Sequence, residues 1–129
     1  MARVNTHKLE ISDKIFCAWQ DLLVLLSQAS SVPFAIINRL NLSKIQVYCT
    51  NNAPNSPYNI GDEFVLGSQH FCETTLKNNA INVVKDTQKE QQQAPQSKLS
   101  TNRAIAYLGI PLNWPNGKPF GTLALVDIK

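Results

Sequence analysis

The apolar residues near the beginning of the chain recur at intervals of three and four positions. The stripe consists of Ile15, Trp19, Leu22 and Leu26, widened by Phe16 and Leu23. This spacing predicts an amphipathic helix over residues 12–30. Ser12 provides an N-cap, and Pro33 ends the segment because it disfavours helical geometry at Val32. The stripe is broader than the surface that one sheet covers, so we expect a partner helix beside it.

Four later runs are rich in β-branched and aromatic residues, which is typical of strands. They span residues 34–40, 45–50, 104–113 and 120–127. The first two are joined by a short turn and form a predicted hairpin. The last two flank Asn116-Gly117, a pair that favours the tight turn of a second hairpin. Both strands of this second hairpin are apolar at nearly every position, so we expect both of their faces to be covered.

The middle of the chain holds a second predicted helix and a brief strand. The helix begins after Gly67, with Ser68 as its N-cap, and ends at Asn78-Asn79. Its apolar residues between positions 71 and 76 lie on one face. The strand covers residues 81–84. Residues 51–59 are rich in proline and asparagine and are predicted to form a loop. Helices separated from antiparallel strands define the α+β class.

Residues 87–103 are predicted to form a mobile lid segment. From 87 to 100 the sequence is TQKEQQQAPQSKLS, in which Leu99 is the only large apolar side chain. Such a segment cannot dock firmly on a core. Asp86 precedes it and has two interpretations, a turn cap or a hydrogen-bond acceptor for a ligand.

Composition and charge exclude several classes of protein. The 129 residues correspond to one domain, and 43% apolar residues with a net charge of +3 exclude charge-driven disorder. The arginines are scattered, which argues against nucleic acid as a partner. The longest uncharged stretch, 22–38, is interrupted by polar residues and is too short to span a membrane, and no signal-peptide core precedes it. Three cysteines without paired spacing indicate a reducing, cytoplasmic compartment.

Catalytic and metal-binding patterns are not evident in the sequence. His70 and Cys72 lie close together, but a zinc site needs three or four ligands, and residues two apart do not share a helix face. We therefore interpret Cys72 as a small buried side chain beside Phe71. General acid–base catalysis needs two carboxylates that converge on one substrate, and nothing in the sequence brings two acidic residues together in this way. We expect no catalytic residue, metal or cofactor.

The end of the chain resembles the closing part of a GAF domain. The resemblance is carried by AYLGIPL at 106–112, PNGKPFGTL at 115–123 and Val126-Asp127, in the order and spacing found in that family. Upstream, Gly67-Ser68, residues 71–73 and residues 83–86 are similar to GAF segments of bacterial sensor kinases and cyclic-di-GMP enzymes. The resemblance implies a PAS-related, profilin-like fold, with a central antiparallel sheet of about five to six strands and helices packed on it.

The resemblance also implies a function. A single GAF-like domain over 1–129 would bind a small molecule and report its occupancy to an attached output domain in bacterial signal transduction, such as a two-component or cyclic-di-GMP system. GAF domains usually continue beyond the closing Asp into a long helix, so we expect this segment to be cut from a larger protein and to lack that helix. The chain has no Cys-His dipeptide for bilin attachment and no cyclic-nucleotide motif.

The family layout implies a ligand site on the face of the sheet opposite the first helix. Its candidate lining is Ile36, Tyr48, Phe64, Phe71, Cys72, Val84, Asp86, Ala106 and Leu108. Strand alternation places Ala106, Leu108, Ile110 and Leu112 on one face and Ile105, Tyr107 and Pro111 on the other. Alternation by itself does not decide which of these faces lines the site.

Two alternatives belong to other functional classes. The first is a dimerisation or relay module without ligand, which predicts a homodimer through Ile15, Trp19, Leu22 and Leu26. The second is a methionine sulfoxide reductase that depends on Cys72, although Cys17, Cys49 and Cys72 do not match the cysteine set of the reductases with this domain.

Overall fold

A computed structural model describes residues 11–65, 71–85 and 104–128. Its elements are α1 (Asp13–Ser30), β1 (Phe34–Asn41), β2 (Lys44–Thr50), β3 (Glu63–Val65), α2 (Phe71–Asn78), β4 (Asn82–Val84), β5 (Ala104–Asn113) and β6 (Pro119–Ile128). The strands form one sheet in the order β3-β2-β1-β6-β5-β4, and every neighbouring pair is antiparallel. The predicted α+β class with a central antiparallel sheet is therefore confirmed.

Helix α1 has side-chain and backbone caps at its two ends. Ser12 Oγ accepts a hydrogen bond from the Ile15 amide at 3.2 Å, and Ser31 adopts a left-handed conformation that ends the helix. Leu23 is fully buried, and α1 packs mainly on β1 and β2. The helix therefore covers one half of the sheet. Within the described residues, neither helix has the length and apolar content needed to cross a membrane.

The turn between β5 and β6 has the predicted Asn-Gly geometry. Gly117 has a φ of +88°, which favours glycine, and Asn116 Oδ1 accepts a hydrogen bond from the Lys118 amide at 2.9 Å. The Trp114 amide donates to the Lys118 carbonyl at 2.8 Å and closes the turn. These bonds fix the register of the longest strand pair in the sheet.

The edge strand β3 has no counterpart among the predicted elements. Gly61 has a φ of +100° and turns the chain back towards β2. β3 then pairs with β2 over three residues. The Gly61 amide donates to the Val47 carbonyl at 2.9 Å, and the Val47 amide donates to the Asp62 carbonyl at 2.8 Å. A strand this short has no periodicity of its own. The predicted Ser68 cap and the predicted lid at 87–103 lie outside the described residues.

The sheet separates two apolar clusters, which we call the α1 face and the α2 face. The α1 face is built from Leu23, Ala35, Ile37, Cys49, Phe120 and Leu123. The α2 face is built from Phe34, Ile36, Tyr58, Phe71, Val84, Tyr107, Ala124 and Val126. On the α1 face, Ile110, Leu112 and Leu125 are only half-buried, because α1 lies mainly over the other half of the sheet. In the described part of the chain, β5 and β6 are therefore only partly covered on the α1 face, where full cover was expected.

Candidate functional site

The floor of the α2 face consists of three rows of cross-strand neighbours from β1, β6 and β5. From one end to the other, the rows are Asn38–Thr122–Pro111, Ile36–Ala124–Gly109 and Phe34–Val126–Tyr107. The middle row has small residues on β6 and β5, so the floor is lowest there. Helix α2 packs over the β5 and β6 side of this floor.

Gly109 makes room for a hydroxyl pair beneath α2. The hydroxyls of Tyr107 and Thr75 lie 3.1 Å apart, and Thr75 Oγ1 also donates to the Phe71 carbonyl at 3.2 Å. Since Thr75 has one hydroxyl proton, Tyr107 is the donor in the pair. A Cβ at Gly109 would collide with the Tyr107 hydroxyl and lie 2.6 Å from Thr75 Oγ1. The glycine is therefore required for Tyr107 to reach Thr75.

Aromatic rings form the walls of the α2 face. Phe71 stacks on Tyr107 with ring centroids 5.6 Å apart, and Tyr58 meets Phe34 edge-on at 6.0 Å. Tyr58 comes from the loop before β3, where Ser56 Oγ accepts from the Tyr58 amide at 3.0 Å and donates to its carbonyl at 3.2 Å. The loop thus holds the Tyr58 ring in place from its backbone.

Within the described residues, two buried polar atoms on the α2 face have no hydrogen-bond partner. The Tyr58 side chain is 5% exposed and its hydroxyl is unpaired, and Asn38 is 3% exposed with Oδ1 unpaired. Asn38 Nδ2 donates to Thr122 Oγ1 at 3.3 Å, so the amide is held from one side only. Buried polar groups without a partner are uncommon in folded proteins because each one loses its hydration without compensation.

The ionisable groups of the α2 face remain protonated at neutral pH. Burial raises the pKa of the Cys72 thiol to about 12, and the neighbouring charge of Glu73 adds to the effect. Burial also raises the pKa of Tyr58 and of Tyr107 far above the ordinary value, with Cys72 close enough to contribute to both. These three buried side chains are therefore uncharged at neutral pH. The described residues contain no group of three side chains that could hold a metal ion.

The structure brings together only part of the predicted ligand lining. Ile36, Phe71 and Val84 belong to one buried cluster on the α2 face, and Cys72 lies beside its tyrosines. Tyr48 lies on the α1 face, where its ring meets those of Phe16 and Trp19.

The remaining residues of the predicted lining do not belong to the cluster on the α2 face. Ala106 and Leu108 alternate with Tyr107 and therefore point to the α1 side. Phe64 lies on the edge strand opposite Ile45, and Asp86 lies outside the described residues.

Several polar residues of the α2 face are absent from the sequence prediction. Asn38 is one of three polar residues in β1, together with Arg39 and Asn41, so the sequence alone does not distinguish it. Tyr107 was placed opposite Leu108 by alternation, which is correct, but nothing in the sequence pairs it with Thr75. Tyr58 lies in a loop without periodicity, so no pattern points to it.

A cavity of about 330 Å³ opens beside Tyr58, and we call it the Tyr58 cavity. Ala53, another of its lining residues, packs against the core of the α2 face. The described residues that line the Tyr58 cavity are uncharged, and most carry an amide or a hydroxyl group: Thr50, Asn52, Ala53, Asn55, Ser56, Tyr58, Asn59 and Ile60. The cavity thus joins the surface of the loop to the rim of the aromatic cluster.

A second cavity, of about 390 Å³, lies on the opposite side of the sheet. It separates the N-terminal part of α1 from the β5–β6 hairpin, and its lining is Ile11, Ile15, Trp19, Leu22, Ile37, Leu112, Asn113, Trp114, Pro115, Phe120 and Leu123. Beside it, the Arg39 guanidinium lies 5.6–5.8 Å from the ring centroids of Tyr48, Trp114 and Phe120. This cation–π arrangement stabilises the end of the aromatic cluster on the α1 face.

The fold is that of GAF domains, as solved structures with the same architecture establish. The GAF domain of a two-component sensor histidine kinase from Bacillus halodurans has a TM-score of 0.61 at 15% identity, covering 93% of this chain and 79% of that one. NreA from Staphylococcus aureus, mutated in its nitrate-binding site, has a TM-score of 0.67 at 19% identity, covering 88% and 85%.

A third similar structure belongs to an enzyme. Free methionine-R-sulfoxide reductase from Neisseria meningitidis, in complex with its substrate, has a TM-score of 0.66 at 11% identity, covering 87% of this chain and 62% of that one. No family model matches the chain, and no curated protein matches it significantly. At these identities the likeness concerns the fold.

Proposed function

We propose that the protein is a sensory domain that binds a small molecule on the α2 face and reports its occupancy to an attached output domain in signal transduction. The observation that carries this proposal is the pair of buried, unpartnered polar atoms, Tyr58 Oη and Asn38 Oδ1, on one face of the sheet. A ligand that hydrogen-bonds to them would recover free energy that the unliganded protein lacks. The GAF fold of a sensor histidine kinase provides a precedent for the fold in signalling.

Ligand binding would act on the segments that overlie the α2 face. The Tyr58 loop connects directly to β3, and α2 connects to β4, so both edges of the sheet are within reach of a ligand. A ligand that binds one arrangement of these segments better than another shifts the population towards it. The shift would then be read by whatever contacts the sheet edges or α1.

A metabolite screen by thermal denaturation tests this proposal. At a hundredfold excess over its dissociation constant, a ligand is expected to stabilise the fold by about 2.7 kcal/mol. The rates at which the three free cysteines are alkylated show where a ligand binds. Cys72 is buried beside the α2 face, Cys49 is buried on the α1 face, and Cys17 is exposed. A ligand on the α2 face should slow alkylation of Cys72 more than that of Cys49, and Cys17 serves as the reagent control. The proposal fails if no compound stabilises the protein, or if protection of Cys72 does not exceed that of Cys49.

The proposed role is non-catalytic. A reductase that uses Cys72 would need the thiolate as nucleophile. A pKa of about 12 keeps this buried thiol protonated at neutral pH. We therefore do not assign the chemistry of the structurally similar reductase to this chain.

Association of two copies through α1 is a second candidate function, and the half-covered α1 face favours it. Ile15 is 44% exposed, Leu22 is 43% exposed and Leu25 is 62% exposed, and all three lie on one flank of the helix. Ile15 and Leu22 also line the 390 Å³ cavity. Trp19 and Leu26 pack against the core of the α1 face, so a contact between copies would use mainly the other two residues of the predicted set.

Substitutions on that flank test the association. Ile15→Glu with Leu22→Glu should convert a dimer to a folded monomer in sedimentation, because the charges would have to be buried without partners. Val24→Glu is the matched control, since Val24 is exposed on the opposite side of α1. A wild-type monomer at high concentration, or a dimer that survives the double substitution, excludes the contact.

A further inference from the structure

Both tryptophans of the chain line one apolar cavity on the α1 face. This is the cavity of about 390 Å³ between the N-terminal part of α1 and the β5–β6 hairpin, and we call it the tryptophan cavity. Its volume lies within the range of about 300–1,000 Å³ that is usual for small-molecule sites. A docked helix is a poor match, because one helical turn with its side chains already fills roughly 400 Å³.

The fold holds the walls of the tryptophan cavity in place. Phe120 is a buried member of the lining, and the rings of Trp19 and Trp114 meet it edge-on, with centroids 5.5 Å and 5.0 Å away. The turn fixes the Trp114 backbone, since its amide donates to the Lys118 carbonyl and its carbonyl accepts from the Gly117 amide, each at 2.8 Å. A ligand that enters a cavity with fixed walls loses little free energy to the ordering of the protein.

The lining of the tryptophan cavity holds water poorly. Among the described residues that line it, ten are aliphatic or aromatic and one, Asn113, is an amide. The Asn113 amide nitrogen already donates to Asn79 Oδ1 at 3.3 Å. A water molecule is well held only where two to four polar groups surround it. Water in this cavity is therefore bound weakly, and replacing it with apolar groups gains free energy.

The same lining disfavours ions. None of the described residues in it carries a charge. The Arg39 guanidinium lies 5.8 Å from the ring centroid of Trp114 and 5.6 Å from that of Phe120, but Arg39 is not itself part of the lining. An ion that moved into the cavity would lose its hydration without meeting a counterion there, which is strongly unfavourable. The lining therefore favours uncharged molecules.

We propose that the tryptophan cavity is a ligand site for a small, uncharged molecule that is mostly hydrocarbon. The ligand fills the space between α1 and the β5–β6 hairpin and is held by the burial of its apolar surface. The site lies across the sheet from the α2 face. The inference therefore goes beyond the proposed function and does not depend on it.

Straight-chain alkanols and carboxylates of equal chain length test this inference on the full chain at pH 7.5. The neutral dye N-phenyl-1-naphthylamine reports binding, because it accepts energy from tryptophan only at short range. The alkanols should displace the dye, with an affinity that rises about fourfold for each added methylene until the cavity is full. The carboxylates should bind about tenfold more weakly or worse. Equal affinity for the two series, or no displacement by the alkanols, would overturn the inference.

Variants with a single tryptophan show where the alkanols bind. Trp19→Phe leaves Trp114 on the hairpin, and Trp114→Phe leaves Trp19 on α1. 1-Octanol should change the tryptophan emission of both variants and leave the alkylation rate of Cys72 unchanged. Unchanged emission in either variant contradicts binding in this cavity. A compound that protects Cys72 and changes neither emission would support the proposed function while it overturns this inference.

A charge on the wall of the tryptophan cavity provides a matched comparison. Leu22 lines the cavity and is 43% exposed, whereas Leu25, also on α1, is 62% exposed and is not part of the lining. Leu22→Glu should weaken 1-octanol binding by about tenfold, and Leu25→Glu should leave it unchanged. Both side chains reach solvent, so both variants should fold. The comparison is made at a concentration at which the protein sediments as a monomer, because Leu22 also belongs to the flank proposed for association. Equal binding by the two variants would exclude the site.

Discussion

Gly121→Ala is expected to remove most of the stability of the fold, with a loss of about 4 kcal/mol or more. Gly121 lies on β6 between β1 and β5, opposite Arg39 and Leu112. A Cβ at this position would collide with the Asn38 carbonyl oxygen and would lie 3.0 Å from the Arg39 Cα. These are backbone atoms of a central strand, so no side-chain rotation relieves the collision. Either β1 and β6 separate locally or the sheet fails to form.

Urea denaturation followed by circular dichroism measures this loss, and Gly117→Ala is the matched control. Gly117 has a positive φ, but a Cβ there would have no heavy atom within 4 Å. The control should lose only about 1–2 kcal/mol, from backbone strain alone. If Gly121→Ala were no more destabilising than Gly117→Ala, the close approach of β1 and β6 would be wrong.

The elements with strong local signals could be predicted from the sequence. The stripe from Ile15 to Leu26 with Ser12 before it predicts α1, and Asn116-Gly117 predicts the turn of the second hairpin. Asn79 adopts the left-handed conformation expected of a helix stop, with a φ of +48°. In each case the backbone conformation is set by the residue itself or by its near neighbours, so tertiary contacts were not needed.

The division of the candidate site between the two faces could not be predicted. The pairing of β1 and β2 shifts between Ile37 and Asn38, which lie opposite Cys49 and Val47, so Tyr48 lies at a bulge in β2. As a result Tyr48 and Cys49 both pack on the α1 face, against strict alternation. A bulge has no sequence signature here, and the predicted lining therefore combined residues from opposite faces. Asn38 and Tyr58, the unpartnered groups, are recognisable only once burial is known.

The second large effect is expected at Leu23, where truncation to alanine should cost about 3–5 kcal/mol. Leu23 is fully buried between α1 and the sheet, among Ala35, Ile37 and Cys49. Those neighbours belong to strands that are fixed by pairing on both sides, so they cannot collapse into the space left by the missing atoms. The loss therefore includes both the transfer free energy of the side chain and a cavity term. Urea denaturation gives the size of the loss directly.

Leu25→Ala makes the same substitution two residues along the helix and serves as the control. Leu25 is 62% exposed, and alanine has at least the helix propensity of leucine, so a change within about 0.5 kcal/mol is expected. The difference between the two variants isolates the docking of α1 on the sheet from the intrinsic stability of the helix. Equal losses would mean that α1 is not held on β1 and β2 through Leu23. In that case the exposed flank of Ile15 and Leu22, on which the association of two copies depends, would have no fixed position.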